Sequence, residues 1–345
     1  MFSSKLFKVF FAFSSISILV VAVIGTGAHK AIQLPFLAPS TTNSLTGADG
    51  VDGPTIVVKL DDTTYAHPQV GLSSADVVYI EQVEGGLTRL AAVFASKIPS
   101  IVGPVRSARI SDVELLAQYG RVGFAYSGVQ KLMRPVIAAA NLSDLGANSY
   151  GPNYYANDPA RIAPYAMMVK LPDLLSKAKS QGLVLAQSKS MGWKFGNQPA
   201  TLEMIKTVHI PWPASSYDAQ WSNNENRWLL THNGKIDTDE TGFQLGPKTL
   251  VIQIVSITDS IYHDKVGGIT PFSATVGNGK CYLLRNGGYA PCLWNRSNPE
   301  SGTEFTDLTG QPIYFERGQI WFALTSKEPI FTPNSSQDAT KSTNK

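Results

Sequence analysis

The sequence predicts an α+β fold in two parts, a mixed α/β portion over residues 54–195 followed by a mainly β portion over 205–328. Three observations carry that expectation. Short apolar runs alternate with helical stretches from about 54 to 190. From about 200 onward the signals are almost all strand and turn. The chain has 345 residues, 43% of them hydrophobic, which is enough for two cores, and only 16% charged, which suits a loop-rich exported protein with much sheet. The net charge of +3 comes without a Lys/Arg-dense stripe interleaved with aromatics, so nucleic acid is excluded as a partner.

At the N-terminus, Lys5 and Lys8 precede a stretch without charge from Val9 to Ala28. A segment of that length just crosses a bilayer core, and the lysines before it favour an N-inside orientation. Residues 1–30 are therefore a signal anchor, or a signal peptide cleaved after Thr26-Gly27-Ala28. Either way the remainder lies outside the cytosol, and an uncleaved helix makes the membrane a partner. Residues 31–53, rich in Pro, Ser, Thr, Gly and Asn, read as a linker. Strands follow at Thr55–Leu60, Asp76–Ile80, Leu87–Ala95 and Val122–Tyr126, with Glu84-Gly85-Gly86 as a turn. Ser111-Asp112-Val113-Glu114 has capping-box form and opens a helix over 112–119. Lys131–Ala140 and Pro172–Lys179 are further helices.

In the second part, strands are expected at Arg227–Thr231, Thr249–Ile257, Gly279–Leu284, Gly288–Trp294, Pro312–Phe315 and Gln319–Leu324. The two cysteines flank an Asn286-Gly287 turn. In a two-residue hairpin Arg285 faces Gly288, which sets Cys281 directly opposite Cys292 at disulfide distance. An oxidising compartment then favours the bridge. Pro291 inside the second strand marks it as an edge. Residues 333–345 form a polar, disordered tail.

The run from Leu60 to Glu114 resembles the YerB-like lipoprotein family. The matching pieces are Pro68-Gln69-x-Gly71-Leu72, Ala75-Asp76-x-Val78-Tyr79, Glu84-Gly85-Gly86-x-Thr88-Arg89 and Gly103-Pro104-Val105-Arg106-Ser107-Ala108-Arg109. Trp294-x-Arg296, Thr303-x-Phe305, Asp307-x-x-Gly310-x-Pro312-Ile313 and Arg317-Gly318-Gln319-x-Trp321 extend the likeness over about 45–325. The resemblance implies two domains, a cell-envelope location and no established activity. Two departures stand out. This chain has no Cys near its N-terminus to carry a lipid, and Arg161-Ile162-Ala163-Pro164-Tyr165-Ala166 stands where typical members carry Arg-x-Ala-Pro-His-Asn.

For chemistry, Arg106 and Arg109 lie just before the capped helix and suit a phosphate or carboxylate. Asp61 and Ser127 end strands, and Glu84 and Arg89 flank the Gly-Gly turn. Because strand ends form the usual crevice of an open α/β sheet, Asp61, Glu84, Arg89, Arg106, Arg109 and Ser127 are expected to line one ligand cleft. The competing reading is a structural ion-pair network. No catalytic residue is assigned. Ser127-Gly128 lacks the first glycine of a nucleophile elbow, the five histidines show no metal-ligand spacing, and no cofactor motif occurs. The function expected is a non-catalytic envelope protein that binds an anionic cell-wall component or a wall-synthesis partner. The alternative is a cell-wall hydrolase or transferase using the Asp61 and Glu84 carboxylates.

Overall fold

Strand β1 (Ile56–Asp61) is buried at every position, and the strand order explains why. It pairs antiparallel with β3 (Thr88–Phe94) on one side and parallel with β4 (Val122–Ala125) on the other. β2 (Val77–Gln82) lies beyond β3, and β5 (Leu142–Asp144) lies beyond β4. The molecule is a computed structural model that describes residues 42–197 and 201–334. The expected membrane segment over 1–30, the first part of the expected linker and the tail after 334 fall outside the described residues. Among the described residues, no helix is long and apolar enough to cross a membrane.

The described residues are mainly strand, and one sheet runs through both predicted parts. β6 (Thr249–Ile254), the cysteine-bearing β7 (Gly277–Arg285) and β8 (Gly288–Arg296), and β9 (Ile320–Thr325) come from the second part. β9 inserts between β6 and β2, parallel to both, with Ile320 opposite Thr249 on one side and Val77 on the other. The order is β8-β7-β6-β9-β2-β3-β1-β4-β5, and beyond β8 it continues through Glu203–Pro211, Ser216–Ser222, Arg227–His232 and Lys235–Ile236.

Side chains alternate between the two faces of a strand, so this sheet carries a core on each side. Ile56, Val58, Leu60, Ile80, Leu90, Ile252 and Trp321 build one core. Val57, Val77, Tyr79, Val93, Val251, Phe322 and Leu324 build the other. Helices α1 (Ile110–Ala117), α2 (Arg134–Ala139), α3 (Ala147–Tyr150) and α4 (Leu171–Ser180) all fall between residues 110 and 180.

Four local expectations change. Residues 42–53 are part of the fold rather than linker. The Asn43 carboxamide accepts the N–H groups of Leu45 and Thr46, and Leu45 is fully buried in a core. Pro333, placed in the tail, ends a strand, Ile330–Pro333, that pairs with Glu203–Pro211. Helix α1 starts at Ile110, with Arg109 as N-cap, because the Asp112 carboxylate accepts the Arg109 N–H at 2.6 Å. Ser111, expected to cap, instead accepts the Ser273 N–H through its hydroxyl. The Pro291 strand is not an edge. β8 pairs with Glu203 and Met204 at Tyr289 and Gly288, and with Glu304–Thr306 at Leu293–Asn295, and Pro291 sits in the gap between those two ladders, where no donor is needed.

Cys281 and Cys292 are directly paired and joined in a disulfide, both buried in the second core. Closing a loop of this size restricts the unfolded chain by about 3 kcal/mol. Urea melts of the Cys281→Ser/Cys292→Ser variant should show a loss of about that size, and an unchanged midpoint would remove the bridge from the list of stabilising features.

Candidate functional site

Because β1 and β4 pair in parallel, their C-terminal ends lie side by side. The segment Pro104–Ala108 is strapped across those ends by main-chain hydrogen bonds. Asp61 N–H donates to the Pro104 carbonyl at 2.9 Å, and Arg106 N–H to the Lys59 carbonyl at 2.7 Å. Ser127 N–H donates to the Arg106 carbonyl at 2.9 Å, and Ala108 N–H to the Gly128 carbonyl at 3.0 Å. The strap fixes Arg106 over the strand ends and delivers Arg109 to the start of α1. Arg89, in β3, is the antiparallel partner of Asp61. A cleft of about 880 Å³ lies at this position, where an open sheet offers its crevice.

Four of the six expected residues, Arg89, Arg106, Arg109 and Ser127, line the cleft. The carboxylates of Asp61 and Glu84 are buried and serve as counterions. Asp61 Oδ2 lies 2.6 Å from Arg106 Nε, and Glu84 Oε1 lies 2.7 Å from Arg109 Nε. Glu84 also accepts the Thr270 hydroxyl. Burial raises the Glu84 pKa, but the Arg109 charge and these hydrogen bonds outweigh it and hold the carboxyl below its ordinary value.

Arg89 differs from its two neighbours. It is 8% exposed, and its guanidinium donates to the Ser107 carbonyl at 2.9 Å but makes no ion pair among the described residues. Burial, then the charges of Arg109 and Arg106, push its pKa down to about 9 against the pull of Glu84 and Asp61. Of the three guanidinium groups of Arg89, Arg106 and Arg109 in the cleft wall, only two have a carboxylate at contact distance. Lys131, Arg134 and Lys265 add positive charge to its lining, and Asp264 is the one acidic group there.

The platform beneath is itself ionic. Lys59 Nζ, fully buried on β1, lies 2.7 Å from both Glu81 Oε1 and Asp112 Oδ1. Asp112 is also the group that fixes the Arg109 backbone, so this buried triad ties α1 and its guanidinium to the sheet. Burial dominates at Glu81 and, despite Lys59, pushes it up to about 7.

The N-terminal-domain model of the proteins of unknown function DUF3048 matches residues 42–184, and the C-terminal-domain model matches residues 208–322. The chain belongs to the DUF3048 family. The putative lipoprotein YerB of Bacillus subtilis (strain 168) is 48% identical over 54 residues, which is 16% of this chain and 16% of that relative's length. The crystal structure of YerB from Bacillus subtilis shares the fold with a TM-score of 0.70. It is 22% identical, with 84% of this chain and 99% of that one covered. The YerB-like resemblance read from the motifs is thereby borne out.

In this DUF3048 protein the run that departs from the typical pattern borders the cleft. Ala163 and Pro164 line it, and the Arg106 guanidinium lies 5.7 Å from the centre of the Tyr165 ring.

A second polar cluster was not visible in the sequence. His67, one of the five histidines without metal-ligand spacing, places Nδ1 2.9 Å from Asp237 Oδ1 and Nε2 3.3 Å from Asp62 Oδ1. Asp62 also accepts the hydroxyls of Tyr217 at 2.7 Å and Thr88 at 2.6 Å. Ser215 bridges Thr88 and His232. Asp62, His67 and His232 bring ligand-type atoms within 4.8 Å of one another. The two imidazoles, however, stack nearly parallel at 16°, with centroids 4.6 Å apart. A bound ion lies in the plane of each imidazole that holds it, and two rings stacked face to face cannot both meet that condition. As placed, the cluster is a buried hydrogen-bonded network joining residues of both family domains.

Proposed function

We propose that this chain is a non-catalytic protein of the bacterial cell envelope whose arginine cleft binds an anionic cell-wall component. The observation that carries the reading is Arg89, a buried guanidinium with no carboxylate of its own in the wall of a cleft large enough for a ligand. A buried charge without a partner costs several kcal/mol, and an anionic ligand is the partner that offsets that cost. The envelope location is supported by the uncharged segment after Lys5 and Lys8 and by the name of the relative, a putative lipoprotein. The carboxylates weigh against the hydrolase alternative. Asp61 and Glu84 are turned into counterions, and a Glu84 held ionised has no proton to give a leaving group.

The test is Arg89→Met. In the wild type, inorganic phosphate at 100 times its Kd should stabilise the fold by about 2.7 kcal/mol. The variant should lose that response while its unliganded fold gains on the order of 1–4 kcal/mol, because an unpaired buried charge has been replaced by an apolar side chain. A variant less stable than the wild type that still responds to phosphate would remove the anion site. Separately, release of fragments from purified peptidoglycan by the wild type, abolished in Glu84→Gln, would restore the enzyme reading.

A further inference from the structure

We propose that the cleft takes a hydroxylated organophosphate, a sugar phosphate or polyol phosphate, rather than a bare anion. This deepens the anion reading above and rests on it. Size is the first argument. About 880 Å³ is at the upper end of small-molecule sites, far more than a phosphate group fills.

The second argument is a free amide edge. Gln130 lines the cleft half-buried; its Oε1 is turned inward, and its side-chain N–H group, which is not buried, has no acceptor among the described residues. A ligand hydroxyl supplies that acceptor. Arg89 lacks an anion and the Gln130 amide lacks an acceptor, so one ligand that satisfies both carries a phosphate and a hydroxyl on the same small skeleton.

The remaining walls fit that chemistry. Ser127, Asn148 and Asn157 offer further neutral hydrogen-bonding groups, while Pro164, Met167 and Val266 give apolar surface for C–H faces. No Phe, Tyr or Trp is in the lining, so a nucleotide base would have only the His263 imidazole or a guanidinium to rest on. Phosphate and carboxylate both match the guanidinium fork, but Lys131, Arg134 and Lys265 add to the three arginines against one lining carboxylate, Asp264, and that surplus favours a dianionic phosphate.

Calorimetric titrations of the full-length protein in low-salt buffer with inorganic phosphate, glucose, glucose 6-phosphate and glycerol 3-phosphate test this. At least one of the two organophosphates should bind about tenfold or more tightly than inorganic phosphate, the gain expected of one or two well-made hydrogen bonds. In Gln130→Leu that gain should disappear while affinity for inorganic phosphate stays within about twofold. If inorganic phosphate binds as tightly as both organophosphates, the proposal fails and the anion site stands. A preference that survives Gln130→Leu overturns the role given to this amide. If Arg89→Met binds inorganic phosphate as the wild type does, the underlying anion reading fails instead.

Discussion

Replacing Lys59 with methionine is expected to cost the fold about 3–5 kcal/mol, a large fraction of the stability of an ordinary domain. Lys59 is fully buried, and its ammonium is the only cation in contact with both Glu81 and Asp112 among the described residues. The methionine fills most of the volume but leaves two carboxylates facing each other away from water. The effect should grow with pH. Glu81 is already pushed up to about 7, so its folded-state pKa lies above the ordinary 4.5, and stability falls as pH rises from 4.5 through 7. Without Lys59 the carboxyl is pushed higher still, and the variant should lose more at pH 8 than at pH 5. Chemical denaturation of both proteins at the two pH values checks this. A loss under 1 kcal/mol, or one that shrinks as pH rises, would mean that the triad is solvated and adds little. Because Asp112 also holds the Arg109 backbone, the variant should bind anions less tightly even where it remains folded.

How much of this was legible in the sequence depends on the distance along the chain over which each feature is decided. The apolar run at β1 and the Asn286-Gly287 turn are local, and both the strand and the Cys281–Cys292 register follow from them. The grouping of Arg89, Arg106, Arg109 and Ser127 was reachable because each lies at the end of a recognisable strand or at a helix start. That Asp61 and Glu84 back these arginines instead of facing the cleft was not, since side-chain direction depends on the strap 104–108. The cap of α1 was misplaced because Asp112 bonds three residues back while Ser111 is drawn off by Ser273, 162 positions away. Least legible was the insertion of β9 between β2 and β6, which depends on pairing across some 240 residues and carries no local signal. The His67–Asp237 pair, 170 residues apart, is hidden for the same reason.

That hidden pair sets the second large effect. Asp62→Ala is expected to destabilise the protein by about 3–5 kcal/mol, because one buried carboxylate serves Tyr217, Thr88 and His67 at once and binds the two family domains together. The pH dependence identifies the mechanism. Burial disfavours the imidazolium of His67, but the hydrogen bonds and charges of Asp237 and Asp62 outweigh it and raise the pKa from 6.5 to about 10. A base whose folded pKa is raised stabilises fully below its unfolded value and loses that contribution as pH climbs to the folded one. The wild type should therefore weaken steadily between about pH 6.5 and 10. Asp62 acts at the other end. Burial raises its pKa, but His232, His67 and Thr88 pull it below 3.8, so its contribution is present above that value and lost in acid. Asp237, where burial prevails over His67, is pushed up, so its own contribution runs the other way: its ionised form weighs against the fold near neutral pH, and that cost is relieved as pH falls through its raised folded value. Denaturation midpoints measured from pH 6 to 10 should fall in the wild type, fall less in Asp62→Ala and fall least in His67→Gln, where Glu81 and Arg89 still titrate, the difference between curves isolating the imidazole. If His67→Gln follows the wild-type slope, the charge on His67 contributes nothing to joining the domains, and the stacked pair His67–His232 holds by packing alone.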